Sequence, residues 1–180
     1  MTTPNIPGLN DADDRVTLST GVVLRLKQPS GWAVTEVTRQ MMRERPKPPV
    51  LHNPDADRDE ENEADPDYQA ALTDWDNRLL ERKYEVVIAT GTEVESVPSG
   101  MPAPNDPAWE EMLAALGIPQ PAEMTPTQRY IRWVKYVAAP AWPEDWMLLV
   151  LRTAPRAGTP EVEVAAAAES FRGDAQRAGD

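Results

Sequence analysis

Five times along this chain the residue at the start of a predicted helix is followed at once by proline: Asp65-Pro66, Asp106-Pro107, Thr125-Pro126, Trp142-Pro143 and Thr159-Pro160. In four of the five the residue ahead of proline is Asp or Thr, whose side-chain oxygen can accept an N–H at a helix N-cap. Proline at the first helical position lacks an N–H that has no intrahelical acceptor anyway, and its φ is already helical. Inside a helix or a central strand proline is disruptive. These dipeptides therefore read as helix starts, and they divide the chain beyond residue 65 into a string of helices. With 19 prolines in 180 residues, roughly twice average usage, much of the rest must be loop or helix boundary.

Ahead of the first of these dipeptides the pattern differs. Residues 1–14 are rich in Pro and Asp with few apolar anchors and read as a mobile N-terminal arm. Val16-Thr-Leu-Ser alternates, Thr20-Gly21 supplies a turn, and Val22-Val-Leu-Arg-Leu-Lys is β-branched and half apolar, so the pair reads as a hairpin. Ser30 can cap a helix running to about Glu44, with Val34, Val37 and Met41 at helical spacing and Pro46 as its stop. Four prolines enforce an extended course from Pro46 to Pro54, through Val50-Leu51-His52, which lies along the helices or adds to the sheet edge. Residues 55–67 then hold eight carboxylates against the single Arg58. Such a run repels itself and buries nothing, so 53–65 is expected to be a disordered acidic loop.

Pro66 opens the longest helix, with Tyr68, Leu72, Trp75, Leu79, Val86 and Val87 largely on one side and Gly91 as its end. Glu93-Val-Glu-Ser-Val97 alternates and fits a third strand on the hairpin. Further helices are expected over 107–116, 126–139, 143–153 and 160–172, and 173–180 as a mobile tail. The expected fold is α+β, mainly α: a small antiparallel ribbon of two or three strands packed on five or six helices, in one domain over 15–172.

Composition excludes several classes of function. There is no cysteine, hence no disulfide framework, thiolate metal site or cysteine nucleophile. The N-terminus lacks the charged start and apolar stretch of a signal peptide, and the most apolar run, Trp146–Leu151, is too short to span a bilayer. A net charge of -12 opposes attraction to nucleic acid or anionic lipid. The expectation is a soluble cytoplasmic protein whose partner is another protein, with neither nucleic acid nor membrane.

No catalytic or cofactor motif stands out, and no cofactor is expected. Asp55, Asp57 and Asp59 match three ligand positions of a calcium loop, but Glu60 stands where glycine must allow the turn and Pro66 where a bidentate glutamate is needed. His52 is the one histidine and has no partner at useful spacing. Arg129, Arg132 and Lys135 interleave with Tyr130, Trp133 and Tyr136 in a way that could stack and neutralise nucleic acid. The helical wheel gives a simpler account, an amphipathic helix with a basic outer face. Trp142, Trp146 and Met147 read first as core. Tryptophan and methionine are also enriched where one protein grips another, so these three, with Phe171 on the last helix, are the candidate protein-binding residues.

The order of these pieces resembles a divergent group of tailed-phage proteins, the tail assembly chaperones. The resemblance rests on Thr20-Gly-Val-Val-Leu-Arg-Leu-Lys, Lys47-Pro-Pro-Val, the acidic stretch into Asp65-Pro-Asp-Tyr-Gln-Ala-Ala-Leu72, and Glu93-Val-Glu-Ser-Val97. Leu116-Gly-Ile-Pro, Arg129-Tyr-Ile-Arg-Trp-Val-Lys-Tyr-Val-Ala and Ala167-Ala-Glu-Ser-Phe-Arg172 continue it, so that it spans most of 16–172 by layout. It implies a non-catalytic protein of the infected host's cytoplasm that binds the long tape measure protein and keeps it soluble during tail assembly. Two other readings stand beside it. One is a structural phage protein such as a head–tail connector or neck component, and the other is a hydrolase built on carboxylate pairs and His52.

Overall fold

Val16, Leu18, Val22, Leu24 and Leu26 are buried while Thr17, Val23 and Arg25 between them are not, and the chain folds back on itself at Gly21, whose φ of 84° suits glycine. The computed structural model describes residues 14–54, 57–141 and 143–157. Strands β1 (Arg15–Thr17) and β2 (Val23–Leu26) form the expected hairpin, and β5 (Thr92–Ser96) joins it as the third strand. The order is β1-β2-β5, antiparallel throughout, with Val16 opposite Leu24 and Leu24 opposite Val94. Between them in the chain come α1 (Gly31–Met41), a 3₁₀ turn at Met42–Glu44, β3 (Val50–Asn53), β4 (Arg58–Glu61) and α2 (Pro66–Gly91). After β5 follow α3 (Ala108–Ala115), α4 (Pro126–Trp133), a π-helical turn at Val134–Ala138 and α5 (Glu144–Thr153), then a 3₁₀ turn at Pro155–Ala157. The fold is α+β and mainly α. The expected helix over 160–172, the tail 173–180 and all of the arm except Asp14 lie outside the described residues.

The proline-opened helices start as their chemistry requires. Asp65 Oδ1 accepts the N–H of Tyr68 at 2.9 Å, and Asp106 Oδ1 that of Ala108 at 2.9 Å. Thr125 and Gln128 form a complete capping box around Pro126. Pro143 opens α5 without a side-chain cap. Helix α3 ends in a Schellman arrangement, with Gly117 at φ 76° and the N–H of Ile118 donating to the carbonyl of Leu113 at 3.0 Å. Gly91 closes α2 for a different reason. A Cβ there would stand 2.8 Å from Pro29 Cγ, so the chain passes too close for any side chain.

Where one domain was expected, the described residues form two compact units, one within 32–84 and one from the others. The larger unit holds the three-stranded sheet, the end of α2 and the helices from α3 onward. Val87, Ile88, Trp109, Leu113, Ile131, Trp133, Val134, Trp146, Leu149 and Val150 are all buried in it. The indole N–H groups of Trp109 and Trp133 donate to the carbonyls of Pro104 and Pro102 at 3.1 and 2.8 Å, so the proline-rich connector supplies acceptors to the core. Asp145, buried at the start of α5, accepts both the N–H and the hydroxyl of Ser19, while the Thr20 hydroxyl donates to the Ala138 carbonyl. The hairpin turn is thereby tied to two helical segments. On the sheet's outer face Arg15, Arg25 and Lys27 pair with Glu93 and Glu95.

The smaller unit is built from α1 beyond Gly31, the two-stranded ribbon β3-β4 and residues 66–84 of α2. Its buried apolar residues are Trp75 and Tyr84, two of 22 in the described chain. Trp75 is fixed by donating its indole N–H to the Met41 carbonyl at 3.1 Å, with the Arg45 guanidinium 5.9 Å over its ring. Two expectations are corrected here. Val50-Leu51-His52 does not add to the edge of the three-stranded sheet but pairs in a ribbon of its own, and the stretch expected to be a disordered loop contains β4. Val50 pairs with Glu61, Leu51 with Glu60, His52 with Asp59 and Asn53 with Arg58. Cross-strand partners offset the self-repulsion of the acidic run: Asn53 Nδ2 donates to Glu60 Oε2 at 3.0 Å, Arg58 Nε to Glu60 Oε1 at 2.7 Å, and His52 Nδ1 lies 3.2 Å from Asp59 Oδ1. Asp55 and Ala56 lie outside the described residues.

Candidate interaction surface

The residues singled out from sequence do not form a surface. Trp146 and Met147 are buried on α5, with the Lys135 ammonium 5.4 Å from the Trp146 ring centroid, so they belong to the core. Trp142 and Phe171 lie outside the described residues. The basic stripe of α4 and the π-helical turn is engaged within the protein. Arg129 pairs with Glu110 at 3.1 Å, Arg132 donates to Gln120 Oε1 and the Pro119 carbonyl and covers Tyr136, and Lys135 meets Glu85 Oε1 at 2.5 Å. Cations held this way offer little to a phosphate backbone. Tyr130, on the same helix, hydrogen bonds Thr92 Oγ1 at 2.7 Å. Because the Thr92 hydroxyl donates its one hydrogen to the Ile88 carbonyl, Tyr130 is the donor. Burial raises the Tyr130 phenol to about 12.

His52 and its carboxylate neighbours, the centre of the hydrolase reading, stand on the exposed ribbon. Asp59 is 3.2 Å and Asp57 3.9 Å away, with side chains of all three largely in water. Solvent there screens the charges, whereas electrostatic catalysis relies on groups held in a water-excluded site. Among the described residues no group of three or more His, Asp and Glu is placed to hold a metal ion, and no helix is long and apolar enough to cross a membrane.

What the smaller unit does present is apolar surface. Trp32 is 86% exposed, Val50 59%, Leu51 55% and Met42 52%, four of the seven large exposed apolar residues described. Single exposed apolar residues need no explanation. Four of them in a unit with two fully buried ones do, the unit's Val34, Val37, Met41, Leu72, Leu79 and Leu80 being half-buried. No residue of α1, β3 or β4 is buried. Trp32 escapes a reading by apolar stripe because it stands about 140–200° around α1 from Val34, Val37 and Met41. It shares the polar side with Glu36, Arg39 and Arg43. A tryptophan on the charged face of an amphipathic helix was the available sign.

The ribbon adds charge to this surface. Strands alternate their side chains between two faces. Val50, His52, Asp59 and Glu61 share one face of the ribbon, and Leu51, Asn53, Arg58 and Glu60 the other. The second face is knitted together by the Asn53, Arg58 and Glu60 hydrogen bonds, which hold the Glu60 carboxyl below its ordinary range, Asn53 contributing most. The first leaves Glu61 and most of Asp59 to solvent. Comparison of the chain with protein-family models, curated proteins and solved structures finds no match.

Proposed function

We propose that this protein is non-catalytic and works by binding another protein, as a chaperone of phage tail assembly that holds the tape measure protein in soluble form in the infected cell. The observation that carries the reading is the smaller unit, with Trp32, Met42, Val50 and Leu51 exposed and only Trp75 and Tyr84 fully buried among its described apolar residues. Exposed tryptophan and methionine give large contact area to an apolar partner. A surrounding net charge of -12 keeps a complex with an aggregation-prone chain in solution. The layout from the β-hairpin to the proline-opened helices supports the phage assignment.

Co-expression with the tape measure protein of the same genome tests this. The expected result is a higher soluble yield of the partner and a complex that co-purifies. Replacing Trp32→Ser and Leu51→Ser together should lower that yield while leaving the fold intact. An unchanged solubility with no complex would refute the reading. Finding the protein at fixed stoichiometry in purified particles would replace it with the head–tail connector or neck reading.

A further inference from the structure

We infer that the free edge of β4 is a docking site for an extended, cationic segment of a protein partner, which adds to the ribbon as a third strand. The inference deepens the protein-binding reading above and rests on it for biological context, but its geometry stands alone. A two-stranded ribbon is marginal in water and is normally completed by a third strand or a packed element. Here no residue of either strand is buried, and only Asn53 and Glu60 are half-buried.

The register fixes which backbone groups are offered. The N–H of Asn62 donates to the Pro49 carbonyl at 2.8 Å, which makes Val50–Glu61 and His52–Asp59 the non-hydrogen-bonded pairs of the antiparallel ladder. At such pairs the N–H and C=O groups turn away from the partner strand. Asp59 and Glu61 therefore direct their backbone donors and acceptors outward along the free edge of β4, spaced for an antiparallel or parallel newcomer. Their side chains rise from the same face, beside the positions that an added strand's alternate residues would occupy, at about 5 Å.

Charge decides the occupant. Like charges placed directly opposite are destabilising and opposite ones stabilising. Charged residues on an edge also bar self-association, and a second copy of β4 would set Asp59, Glu60 and Glu61 against the same carboxylates. A strand with Lys or Arg at every second position meets Asp59 and Glu61 instead. Its intervening residues fall on the face of Leu51 and Glu60, where Arg58 already occupies the Glu60 carboxylate, so small or apolar residues suit them. The chemistry selected is thus an extended segment alternating cations with uncharged residues.

The test uses the full chain and the capped peptide Lys-Thr-Lys-Thr-Lys-Thr-Lys as probe, with its Glu-Thr counterpart and a version N-methylated on alternate backbone amides. The expected result is binding of the Lys-Thr peptide alone, with hydrogen exchange at the Asp59 and Glu61 amides slowed about tenfold or more at saturation. Asp59→Asn with Glu61→Gln, which removes both charges while keeping an oxygen acceptor for His52, should weaken binding about threefold or more by removing two attractive cross-strand pairs. Equal binding of the N-methylated peptide, or no slowing of those amides, would overturn strand addition. Binding of the Glu-Thr peptide would overturn the charge argument. The same double variant separates this inference from the chaperone reading. A tape measure complex indifferent to it leaves that reading standing and removes the ribbon as the site, while peptide binding without any tape measure complex does the reverse.

Discussion

Tyr130 shows how one side chain records its surroundings. Its phenol is lifted to about 12, first by burial and also by the nearby Glu93 charge. A folded value above the unfolded one, about 10, favours the protonated form. The associated stability is complete below pH 10 or so and is lost as pH rises toward 12. Tyr130→Phe should flatten that alkaline loss and cost about 1 kcal/mol at neutral pH for the missing hydrogen bond, as urea melts at several pH values would measure. Gly91 makes a second point at this scale. Gly91→Ala would drive a methyl into Pro29 and should cost about 1–3 kcal/mol. Gly31→Ala, where nothing lies within 4 Å, should be neutral or slightly stabilising. Sequence marks Gly91 as a helix end, but its real constraint is contact with a residue 62 positions earlier, which no local pattern carries.

At the scale of elements, legibility followed the range of the forces involved. The helix starts after Asp65, Asp106 and Thr125 were readable because an N-cap and a proline act within one turn. Thr125→Ala should therefore cost about 1 kcal/mol, seen as a lower melting midpoint, with no counterpart at Pro143, where no side chain caps the helix. The three-stranded sheet was readable because one face is apolar and the period-2 pattern survives. Strand β4 was not, because Arg58-Asp-Glu-Glu61 carries no apolar alternation. Its ladder depends on cross-strand partners in Leu51, His52 and Asn53. The candidate site was missed for a related reason. Trp146 and Met147 drew notice by residue type, yet the hydrophobic run that contains them is what buries them. Trp32 and the Val50-Leu51 pair lie in weaker patterns, and their exposure follows from what the rest of the unit fails to cover.

For the molecule as a whole, the division of apolar burial between the two units is the central fact. Twenty of the 22 buried apolar residues lie outside 32–84, so local opening should cost least within that segment. Native-state hydrogen exchange is expected to show α1, β3 and β4 exchanging well before β2, α4 and α5. Trp146→Ala should destabilise the protein by about 3–5 kcal/mol, whereas Trp32→Ala should change stability by less than about 0.5 kcal/mol. A surface that is cheap to alter for folding and costly to alter for binding is the signature of a working face. The most direct measurement is hydrogen–deuterium exchange of the full chain, alone and mixed with the proposed partner, the tape measure protein. The account predicts protection concentrated in residues 32–61, with the larger unit unchanged. Protection confined to the larger unit, with 32–61 exchanging as fast as in the free protein, would contradict it.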